Sequence, residues 1–399
     1  MMSGSEFPVL AGIALCICGA GLAQTLVAWG LASRFAGRQH RGPVSCPPVT
    51  ILKPLHRDEP LLEPALATFC ELDWPEYQIV FGVQDPRDTA IAVVDRLRIR
   101  YPDRDITLIV DATYHGPNRK VGNLINMFPA AKHGVLVFAD SDLHVRPDYL
   151  ASVVAALEQP GVGLVTTLYT GLPADDNAVA QLGATQVTHG FLPGALLARA
   201  MGREDCLGAT MVLHRATLTR VGGLHALVGH LADDNMLGQL VRGLGSRIAL
   251  ASTVPATTVP ETSLRDLFAH ELRWARTIRA LEPVAFAASA VQFSLAWAWL
   301  VVALSEGAAW AWGLFVLTWA LRALAARGID RALRARTILG RPVPVWLLPI
   351  RDLFSIAVLF AAHAGTGVVW RGHGLHADTP DLSQNRNTPL PLAEGPHPR

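Results

Sequence analysis

The sequence is poor in charge. Only 17% of its 399 residues are Asp, Glu, Lys or Arg, against about 25% in an average soluble domain. Acids and bases nearly cancel, leaving a formal net charge of +1. Because 51% of the residues are hydrophobic, the chain is neither a disordered polymer nor a charged coiled-coil rod. Because basic residues do not clearly outnumber acidic ones, the chain is not a protein that coats a nucleic acid, and no nucleic-acid partner is expected.

The sequence also lacks paired-cysteine and nucleotide-binding motifs. Its five cysteines form no C-x-x-C and cannot all pair, which argues against a disulfide scaffold or a zinc ribbon. No GxGxxG follows the first apolar strand and no GxxxxGK[ST] occurs, which disfavours a dinucleotide-dependent oxidoreductase and a P-loop ATPase. Lysine occurs only three times, so each lysine is a candidate for a specific role.

Apolar residues are concentrated at the two ends of the chain. The run 7–33 is long enough to cross about 30 Å of hydrocarbon, and no basic segment precedes it as in a signal peptide. Residues 1–40 are therefore predicted to form an uncleaved transmembrane helix. Residues 283–326 hold two more apolar runs around Glu306 and are predicted to form a transmembrane hairpin. Arginines follow both regions directly, which indicates that these flanks lie in the cytoplasm.

The C-terminal part is less regular in composition. Residues 327–372 are predicted to hold a basic loop and a fourth membrane or interfacial segment. Arg351 and Asp352 near the start of its apolar run, and two glycines near its end, favour an interfacial or re-entrant element. Residues 373–399 are rich in Pro, Asn and His and are predicted to be a disordered tail.

Residues 44–282 have an ordinary charge content and alternate between strand-like and helical segments. The strand-like runs cover residues 49–55, 77–85, 105–112, 134–142 and 162–171. This order predicts an α/β domain with a doubly wound parallel sheet. Such sheets bind ligands at the carboxyl ends of their strands, which is where Asp85, Asp140 and Asp142 are placed.

Two acidic motifs suit chemistry on a phosphorylated substrate. Asp140 and Asp142 form a D-x-D motif whose carboxylates can share one Mg²⁺ or Mn²⁺, ions that keep positions open for phosphate and water. Asp233 and Asp234 follow a glycine-rich turn and start a helix. A carboxylate there could act as a general base, although acids at a helix start are also ordinary caps.

Other candidate residues have two interpretations each. Lys120 opens a helix, where it neighbours either a phosphate or solvent. His189 is expected to be a core or capping histidine. The helix predicted for residues 263–281 places His270, Arg273 and Trp274 on one face. That helix either lies on the membrane surface or brings its arginine to a diphosphate and its tryptophan beneath an acceptor.

The motifs occur in a fixed order along the chain: VQDPRD, ADSD, LADDNMLG and HELRWARTIR. Together with ILKPL, NRKVGNLINM and VVWRG, they resemble the membrane-bound GT-A glycosyltransferases that share a D, D, D, (Q/R)xxRW pattern. The similarity covers roughly residues 45–375. It is greatest to ceramide glucosyltransferase-type enzymes, in particular to the bacterial enzymes of hopanoid biosynthesis.

The resemblance implies a GT-A (Rossmann-like) fold and an inverting transfer from a UDP-sugar to a lipid hydroxyl, on the cytoplasmic face of a bacterial inner membrane. In that family pattern Asp85 would face the uridine and Asp142 would hold the metal. Asp234 matches the catalytic base and Asp233 its acidic neighbour. Arg273 matches the arginine of the final motif.

The remaining residues expected at the donor site are Lys120, at its helix start, with Asp140, Trp274 and His270. His270 stands where the pattern has Gln or Arg, so this chain departs from the family there. We therefore expect a multi-pass membrane enzyme, dependent on Mg²⁺ or Mn²⁺, that favours UDP-N-acetylglucosamine as donor and a hopanoid polyol as acceptor.

Three alternatives stay open beside this expectation. The first is a ceramide glucosyltransferase that uses UDP-glucose. The second is a processive polysaccharide synthase, which usually has more transmembrane helices than this chain provides. The third is a non-catalytic membrane scaffold with a degenerate transferase domain, which predicts the loss of an acidic motif, whereas all three motifs are present.

Overall fold

The structure, a computed structural model, describes residues 6–38, 42–338, 342, 344–365, 367–370 and 373–376. The strands are β1 (Val49–Pro54), β2 (Tyr77–Val83), β3 (Asp105–Val110), β4 (Val135–Ala139), β5 (Leu143–His144), β6 (Val162–Thr166), β7 (Thr170–Pro173), β8 (Thr210–His214), β9 (Arg247–Leu250), β10 (Ala256–Val259), β11 (Gly367–Trp370) and β12 (His373–His376). The α-helices are α1 (Glu6–Ala36), α2 (Leu62–Cys70), α3 (Ala90–Arg100), α4 (Arg119–Met127), α5 (Tyr149–Leu157), α6 (Ala178–Gln186), α7 (Leu192–Ala200), α8 (Arg215–Arg220), α9 (Asp233–Gly243), α10 (Leu264–Leu281), α11 (Pro283–Ala288), α12 (Ser294–Leu304), α13 (Ala309–Leu333) and α14 (Leu348–His363).

The central sheet has the strand order β3-β2-β1-β4-β8-β6-β9. Strands β1, β2, β3 and β4 are parallel, as the sequence pattern predicts. Strand β8 runs antiparallel to both β4 and β6, so the prediction of a wholly parallel sheet is wrong and the sheet is mixed. The chain winds outward in one direction from β1 to β3 and in the other from β4, which opens a ligand crevice at the carboxyl ends of β1 and β4.

Apolar side chains cover both faces of this sheet, because every residue of β1, β2 and β4 is buried. Phe69 of α2, Val93 of α3 and Val153 of α5 pack on one face. Leu124 of α4 and Leu237 of α9 pack on the other. A sheet enclosed on both sides is a rigid support for the loops at its strand ends.

The last of the five predicted strands, residues 162–171, forms two strands instead of one. The first half is β6 of the central sheet, and the second half is β7, which pairs with β10. Strands β5, β10 and β7 make a small second sheet. Because β5 follows Asp142 directly, this small sheet stands at the exit of β4 and supports the D-x-D motif.

Several helices have the length and hydropathy of membrane spans. Within the described residues these are Val9–Ala36, Ala309–Leu333 and Val345–His363, and a bent pair of helices makes up to four. Helix α1 packs against α12 and α13. A Cβ at Gly328 of α13 would lie 2.1 Å from Trp29 Nε1 of α1, so glycine is needed where these helices touch, as is common between membrane helices.

The first arm of the predicted transmembrane hairpin is broken. Pro283–Gln292 and Ser294–Leu304 meet at an angle of 65° at Phe293. Helix α12 alone has 11 residues, about 17 Å at 1.5 Å per residue, which is too short to cross a bilayer. The arm can therefore span only as a bent pair, and its break exposes backbone groups that need partners.

The C-terminal region is more regular than the sequence pattern predicts. The fourth apolar run forms a helix over Val345–His363 that is long enough to span, and 50% of its most apolar window is buried in the protein. Strands β11 and β12 form an antiparallel hairpin, so the predicted disordered tail does not begin at residue 373. Residues 377–399 lie outside the described residues.

Buried ion pairs connect the apolar helices with one another and with α10. Arg351 of α14 donates to both carboxylate oxygens of Glu271 on α10, at 2.8 and 2.7 Å. Arg322 of α13 donates to Asp352 at 2.8 Å. Charges so far from water are tolerated because each has a close partner of opposite sign.

We expect Arg351→Met to destabilise the protein by about 3–5 kcal/mol, because it leaves the Glu271 carboxylate buried without its partner. The free energy of unfolding of the purified protein in detergent measures this effect. The matched control is the double variant Arg351→Met, Glu271→Leu, which removes both charges and should recover most of the loss. Equal losses in the single and double variants would show that the pair contributes through packing alone.

Candidate active site

The D-x-D motif lies at the exit of β4 and is held by the small sheet. Asp142 Oδ2 accepts a hydrogen bond of 2.5 Å from Thr257 Oγ1 of β10, and the Asp142 carbonyl accepts one of 3.1 Å from the Thr258 N–H. Burial and the neighbouring charge of Asp140 raise the pKa of Asp142, although the hydrogen bond from Thr257 opposes the shift. The motif therefore concentrates negative charge at the crevice.

Lys120 joins the two acidic motifs. Its Nζ lies 2.6 Å from Asp140 Oδ1 and 4.0 Å from Asp233 Oδ2. Burial opposes its charge, but the carboxylates of Asp140 and Asp233 outweigh burial and raise the pKa of Lys120. Since the lysine opens α4 with Asn118 as the N-cap, helix α4 delivers a permanent cation to the carboxyl end of β4.

Asn118 fixes the loop that carries the second acidic pair. Its side-chain oxygen accepts the Val121 N–H at 3.1 Å, while its amide donates to the His230 carbonyl at 2.8 Å and to Asp233 Oδ1 at 3.3 Å. One residue therefore both caps α4 and ties it to the residues before α9.

Asp233 and Asp234 lie in the first turn of α9, whose N-cap is Ala232, so neither carboxylate is the N-cap. Burial, and then the charge of Asp233, raise the pKa of Asp234 to about 6. The Asn235 N–H, which donates to Asp234 Oδ1 at 2.8 Å, and Lys120 limit this shift. A Cβ at Gly208 would lie 2.8 Å from Asp234 Oδ2, so glycine leaves room for the carboxylate. The carboxyl group of Asp234 thus has a pKa well above the usual range of an aspartate.

Lys53 is a site residue that the sequence analysis missed. It is fully buried in β1, its Nζ donates to the Asp140 carbonyl at 2.6 Å, and the Nζ lies 3.5 Å from the centroid of the Phe69 ring. Burial lowers the pKa of Lys53 to about 7, although Asp142 and Asp140 oppose the shift. A lysine inside the apolar strand VTILKP was the available signal, since such a residue needs a partner across the sheet.

Tyr169 is a second missed residue. Its ring stacks on Phe191 with centroids 4.6 Å apart. Burial raises the pKa of Tyr169, and the charges of Asp234, Asp140 and Asp142 raise it further. Tyr169 is thus within electrostatic range of the acidic cluster, and Phe191 packs where α1, α7 and α13 meet.

Asp85 lies in the loop after β2, on the same edge of the sheet. In the part of the chain described, its hydrogen bonds and ion pair are with Arg87 and Asp88 of its own loop. The Arg87 N–H lowers the pKa of Asp85. The structure therefore brings Asp85 to the predicted edge, without a direct polar link to the acidic cluster.

The predicted face of α10 forms, and Ser263 caps the helix by accepting the Asp266 N–H at 3.1 Å. The rings of His270 and Trp274 have centroids 4.4 Å apart, while Thr277 donates to the Arg273 carbonyl at 3.0 Å. His270 Nδ1 also contacts the carboxylate of Glu261, which follows β10 after Pro260. His270 thus attaches α10 to the strand that holds Asp142.

The donor set fits a divalent ion bound in an open site. Among the described residues, no three Asp, Glu, His or Cys side chains group into a ready-made metal cage. Asp142 and Asp140 offer hard oxygen ligands. Burial and the charge of Asp140 raise the pKa of Asp142, and a bound cation would favour its ionised form. Mg²⁺ and Mn²⁺ typically take a few carboxylates and complete their coordination with phosphate and water, so these residues suit either ion.

Curated relatives of the chain are ceramide glucosyltransferases. Ceramide glucosyltransferase 3 of Caenorhabditis elegans is 23% identical over 241 residues, which are 60% of this chain and 52% of that protein. The ceramide glucosyltransferase of Komagataella phaffii is 30% identical over 115 residues, which are 28% of this chain and 23% of that protein. The chain therefore spans about half the length of the first relative and less than a quarter of the second.

A solved structure with the same fold is the mannosyltransferase PcManGT from Pyrobaculum calidifontis, in complex with GDP-Man and Mn²⁺. The two chains superpose with a TM-score of 0.51 at 21% identity, over 89% of this chain and 98% of that one. The central domain thus has the GT-A-like glycosyltransferase fold that the sequence resemblance implies. The model of glycosyl transferase family 21 matches residues 10–381, and this chain therefore belongs to glycosyl transferase family 21.

Proposed function

We propose that the protein is a metal-dependent glycosyltransferase that moves a sugar from a UDP-sugar to a hydroxyl of a membrane lipid, with inversion at the anomeric carbon. The observation that carries this proposal is the cluster of Asp140, Lys120, Asp233 and Asp234 in the crevice of the central sheet. Family 21 membership and the ceramide glucosyltransferase relatives support the same reaction class.

The donor side of the reaction requires positive charge at the leaving diphosphate. Asp142, with Asp140 beside it, is the residue we assign to Mg²⁺ or Mn²⁺, and the similar mannosyltransferase was solved with Mn²⁺. Bound there, a divalent ion would neutralise charge on the departing UDP. Lys120 stays charged at every relevant pH, because the carboxylates raise its pKa, and it would supply a second cation beside the diphosphate.

The acceptor side requires one base. Asp234 suits this role because it is ionised above about pH 6 and stands in the first turn of α9 at the cluster. It would take the proton of the lipid hydroxyl as the oxygen attacks the sugar. No second carboxylate nucleophile is needed, since the reaction inverts in a single displacement. Asp233 would hold Lys120 and Asn118 in place.

The remaining roles rest on the family pattern and on placement in the fold. Asp85, exposed on the loop after β2, would face the uridine. Arg273 and Trp274 of α10 would border the diphosphate and the acceptor. His270 would act through Glu261, by fixing α10 to β10, rather than by touching substrate. In this chain the residue at that position of the family pattern would then orient α10.

For the substrates we favour UDP-N-acetylglucosamine and a hopanoid polyol, on the strength of the motif resemblance. A second candidate is transfer of glucose from UDP-glucose to ceramide, which the names of the curated relatives favour. Both candidates share the same acceptor chemistry, a hydroxyl on a neutral membrane lipid. Product analysis by mass spectrometry of lipids from cells that lack the gene would separate them.

Asp142→Asn should lower turnover more than tenfold, a barrier increase of over about 1.4 kcal/mol, because a neutral amide binds a divalent ion poorly. EDTA should abolish the activity of the unaltered protein, and Mn²⁺ or Mg²⁺ should restore it. The matched control is Asp95→Asn on α3, an exposed acid that pairs with Arg98, which should keep full activity. Full turnover of the unaltered protein in excess chelator would overturn the metal assignment.

Asp234→Asn should lower kcat by roughly 10²-fold or more while donor affinity stays near normal, because a positioned base contributes about that factor. In the unaltered protein kcat should fall as pH drops through about 6, since protonation of Asp234 removes the base. The variant should lose this acid limb. Asp233→Asn is the matched comparison and should be milder. A near-normal kcat for Asp234→Asn would assign the base elsewhere.

We propose that the catalytic domain lies in the cytoplasm, on the membrane side marked by the arginines after α1 and α13. Reporter fusions at Gly42 and Gly340 should therefore report the same side, and a fusion at Glu306 the opposite side. Reporter activity in whole cells checks this arrangement. The same sidedness at all three sites would mean that residues 283–333 do not form a hairpin across the membrane.

A further inference from the structure

Two of the three lysines of the chain meet at Asp140, the first residue of the D-x-D motif. Lys120 contacts its side chain, with Nζ 2.6 Å from Asp140 Oδ1. Lys53 contacts its main chain, with Nζ donating to the Asp140 carbonyl at 2.6 Å. The third lysine, Lys132, is exposed and pairs with Asp105 at 2.7 Å. A residue type that is rare in this chain is thus used twice at one position, whereas the proposed reaction gives a role to Lys120 alone.

The Asp140 carbonyl lies just beyond the hydrogen-bonded ladder between β1 and β4. These strands are parallel, and continuing their register brings Pro54 beside Asp140. Pro54 has no N–H to donate, and the Leu55 N–H donates to the Gly82 carbonyl of β2 at 2.8 Å. The two main-chain positions of β1 nearest this carbonyl are thus accounted for, and the Lys53 side chain donates in their place.

Residues 140–142, which we call the D-x-D turn, are held at each position. The Asp140 N–H donates to the Ala209 carbonyl at 3.2 Å, and the Ser141 hydroxyl donates to Glu59 Oε2 at 3.2 Å. The small sheet holds the last residue of the turn through two threonines. Lys53 is fully buried, so it holds the turn from the interior of the domain and leaves the crevice side free for a ligand.

The amine of Lys53 is itself confined by aromatic packing. It lies 3.5 Å from the centroid of the Phe69 ring, a contact that suits an N–H group or an ammonium. The Phe69 ring meets the Tyr149 ring edge to face, with centroids 5.7 Å apart. The Tyr149 hydroxyl is 3.1 Å from Thr210 Oγ1 of β8, the strand beside β4. Because this support is packed on all sides, the amine can hold the carbonyl in one position.

A lysine is a costly choice at this position of β1. Burying an amine in an apolar strand costs free energy, which one hydrogen bond offsets only in part. Methionine has a similar volume and would avoid that cost. The contact with the carbonyl does not depend on the protonation of Lys53, because a neutral amine still has N–H groups. The D-x-D turn that the lysine holds therefore explains its presence better than the stability of the sheet does.

We propose that Lys53 is a positioning residue for the donor site: by holding the Asp140 carbonyl, it fixes the D-x-D turn in the orientation in which its carboxylates bind a divalent ion in contact with a diphosphate. The inference rests on the proposed function, and it adds a residue that prepares the site without touching the ion or the sugar. Lys120 acts on the side chain of Asp140 and Lys53 on its main chain, so the two lysines have different roles.

The test uses the full chain in detergent and measures the binding of UDP by calorimetry, once in saturating Mn²⁺ and once in EDTA, so that no turnover is involved. Lys53→Met keeps the volume of the side chain and removes its donor. The Kd for UDP in Mn²⁺ should rise by about tenfold or more, because the turn no longer presents its carboxylates in register, while the Kd in EDTA should change by less than about threefold. The matched control is Lys132→Met, which should leave both values unchanged.

A second variant guards against misfolding of the first. Phe69→Leu keeps an apolar side chain but removes the ring beneath the amine. It should raise the Kd for UDP in Mn²⁺ in the same direction by a smaller factor. It should add little to Lys53→Met in the double variant, since both changes act through the same nitrogen. The thermal unfolding temperature of each variant shows whether it is folded, and in turnover assays the KM for the lipid acceptor should stay unchanged.

The outcomes separate the inference from the function. If the unaltered protein binds UDP equally well in Mn²⁺ and in EDTA, the metal role in the proposed function is wrong and the inference falls with it. If binding depends on Mn²⁺ but folded Lys53→Met keeps that dependence, or weakens binding equally in EDTA, Lys53 serves only the packing of the sheet and the inference alone is wrong. If Lys53→Met does not fold, an unchanged Kd in Mn²⁺ for Phe69→Leu would overturn the inference.

Discussion

Charge compensation by Lys120 is the constraint on which the rest of the site depends. Asp140, Asp233 and Asp234 come from two distant parts of the chain, and they repel one another when they meet in a partly dry crevice. Lys120 stands between them at 2.6 and 4.0 Å from two of the carboxylates. Asn118 caps the helix of Lys120 and also donates a hydrogen bond to Asp233. The same residue therefore positions the cation and one of the acids.

Among the apolar helices, too, buried carboxylates are compensated by nearby cations. There Arg351 and Arg322 meet Glu271 and Asp352 far from water, and backbone groups freed by the broken helix bind to these charges. Since Glu271 follows His270 on α10, the ion pair ties α14 directly to the helix that carries Arg273 and Trp274. The apolar helices therefore help to position α10.

The first strands and helices of the sheet could be predicted from the sequence, because the length of an apolar run and its flanking turn residues separate buried strands from helices. The predicted β1, β2 and β3 are close to the observed strands. Strand β8 was not predicted, and its reversed direction depends on partners far along the chain. For the same reason residues 162–171 were predicted as one strand, although Leu168 and Tyr169 divide it between two sheets.

In the candidate site, too, residues in local motifs could be predicted, whereas residues with distant partners could not. Asp142 and Asp234 could be placed from motif order, whereas Lys53 was missed because its partner, the Asp140 carbonyl, lies on a neighbouring strand. The polar residues grouped between α6, α13 and α14 were missed too, because they come from segments that are distant in the sequence. His189, expected to be an ordinary core histidine, is buried as predicted but has no hydrogen-bond partner in the described chain.

The segment between α6 and α7, where Phe191 stacks on Tyr169, is a π-helical turn over Val187–Phe191, and it carries an evolutionary consequence. Such a turn holds one residue more than an α-helical path would need, so a single-residue deletion there would allow α6 and α7 to merge into one regular helix. Since the turn absorbs the extra residue, the deletion would leave α6 and α7 close to their present orientations, and the change would fall on the turn itself. The contacts disturbed would be the stacking of Phe191 on Tyr169 and the hydrogen bond from the Gly171 N–H to Thr188. The turn is thus a place where the chain can gain or lose a residue without reorienting the helices on either side.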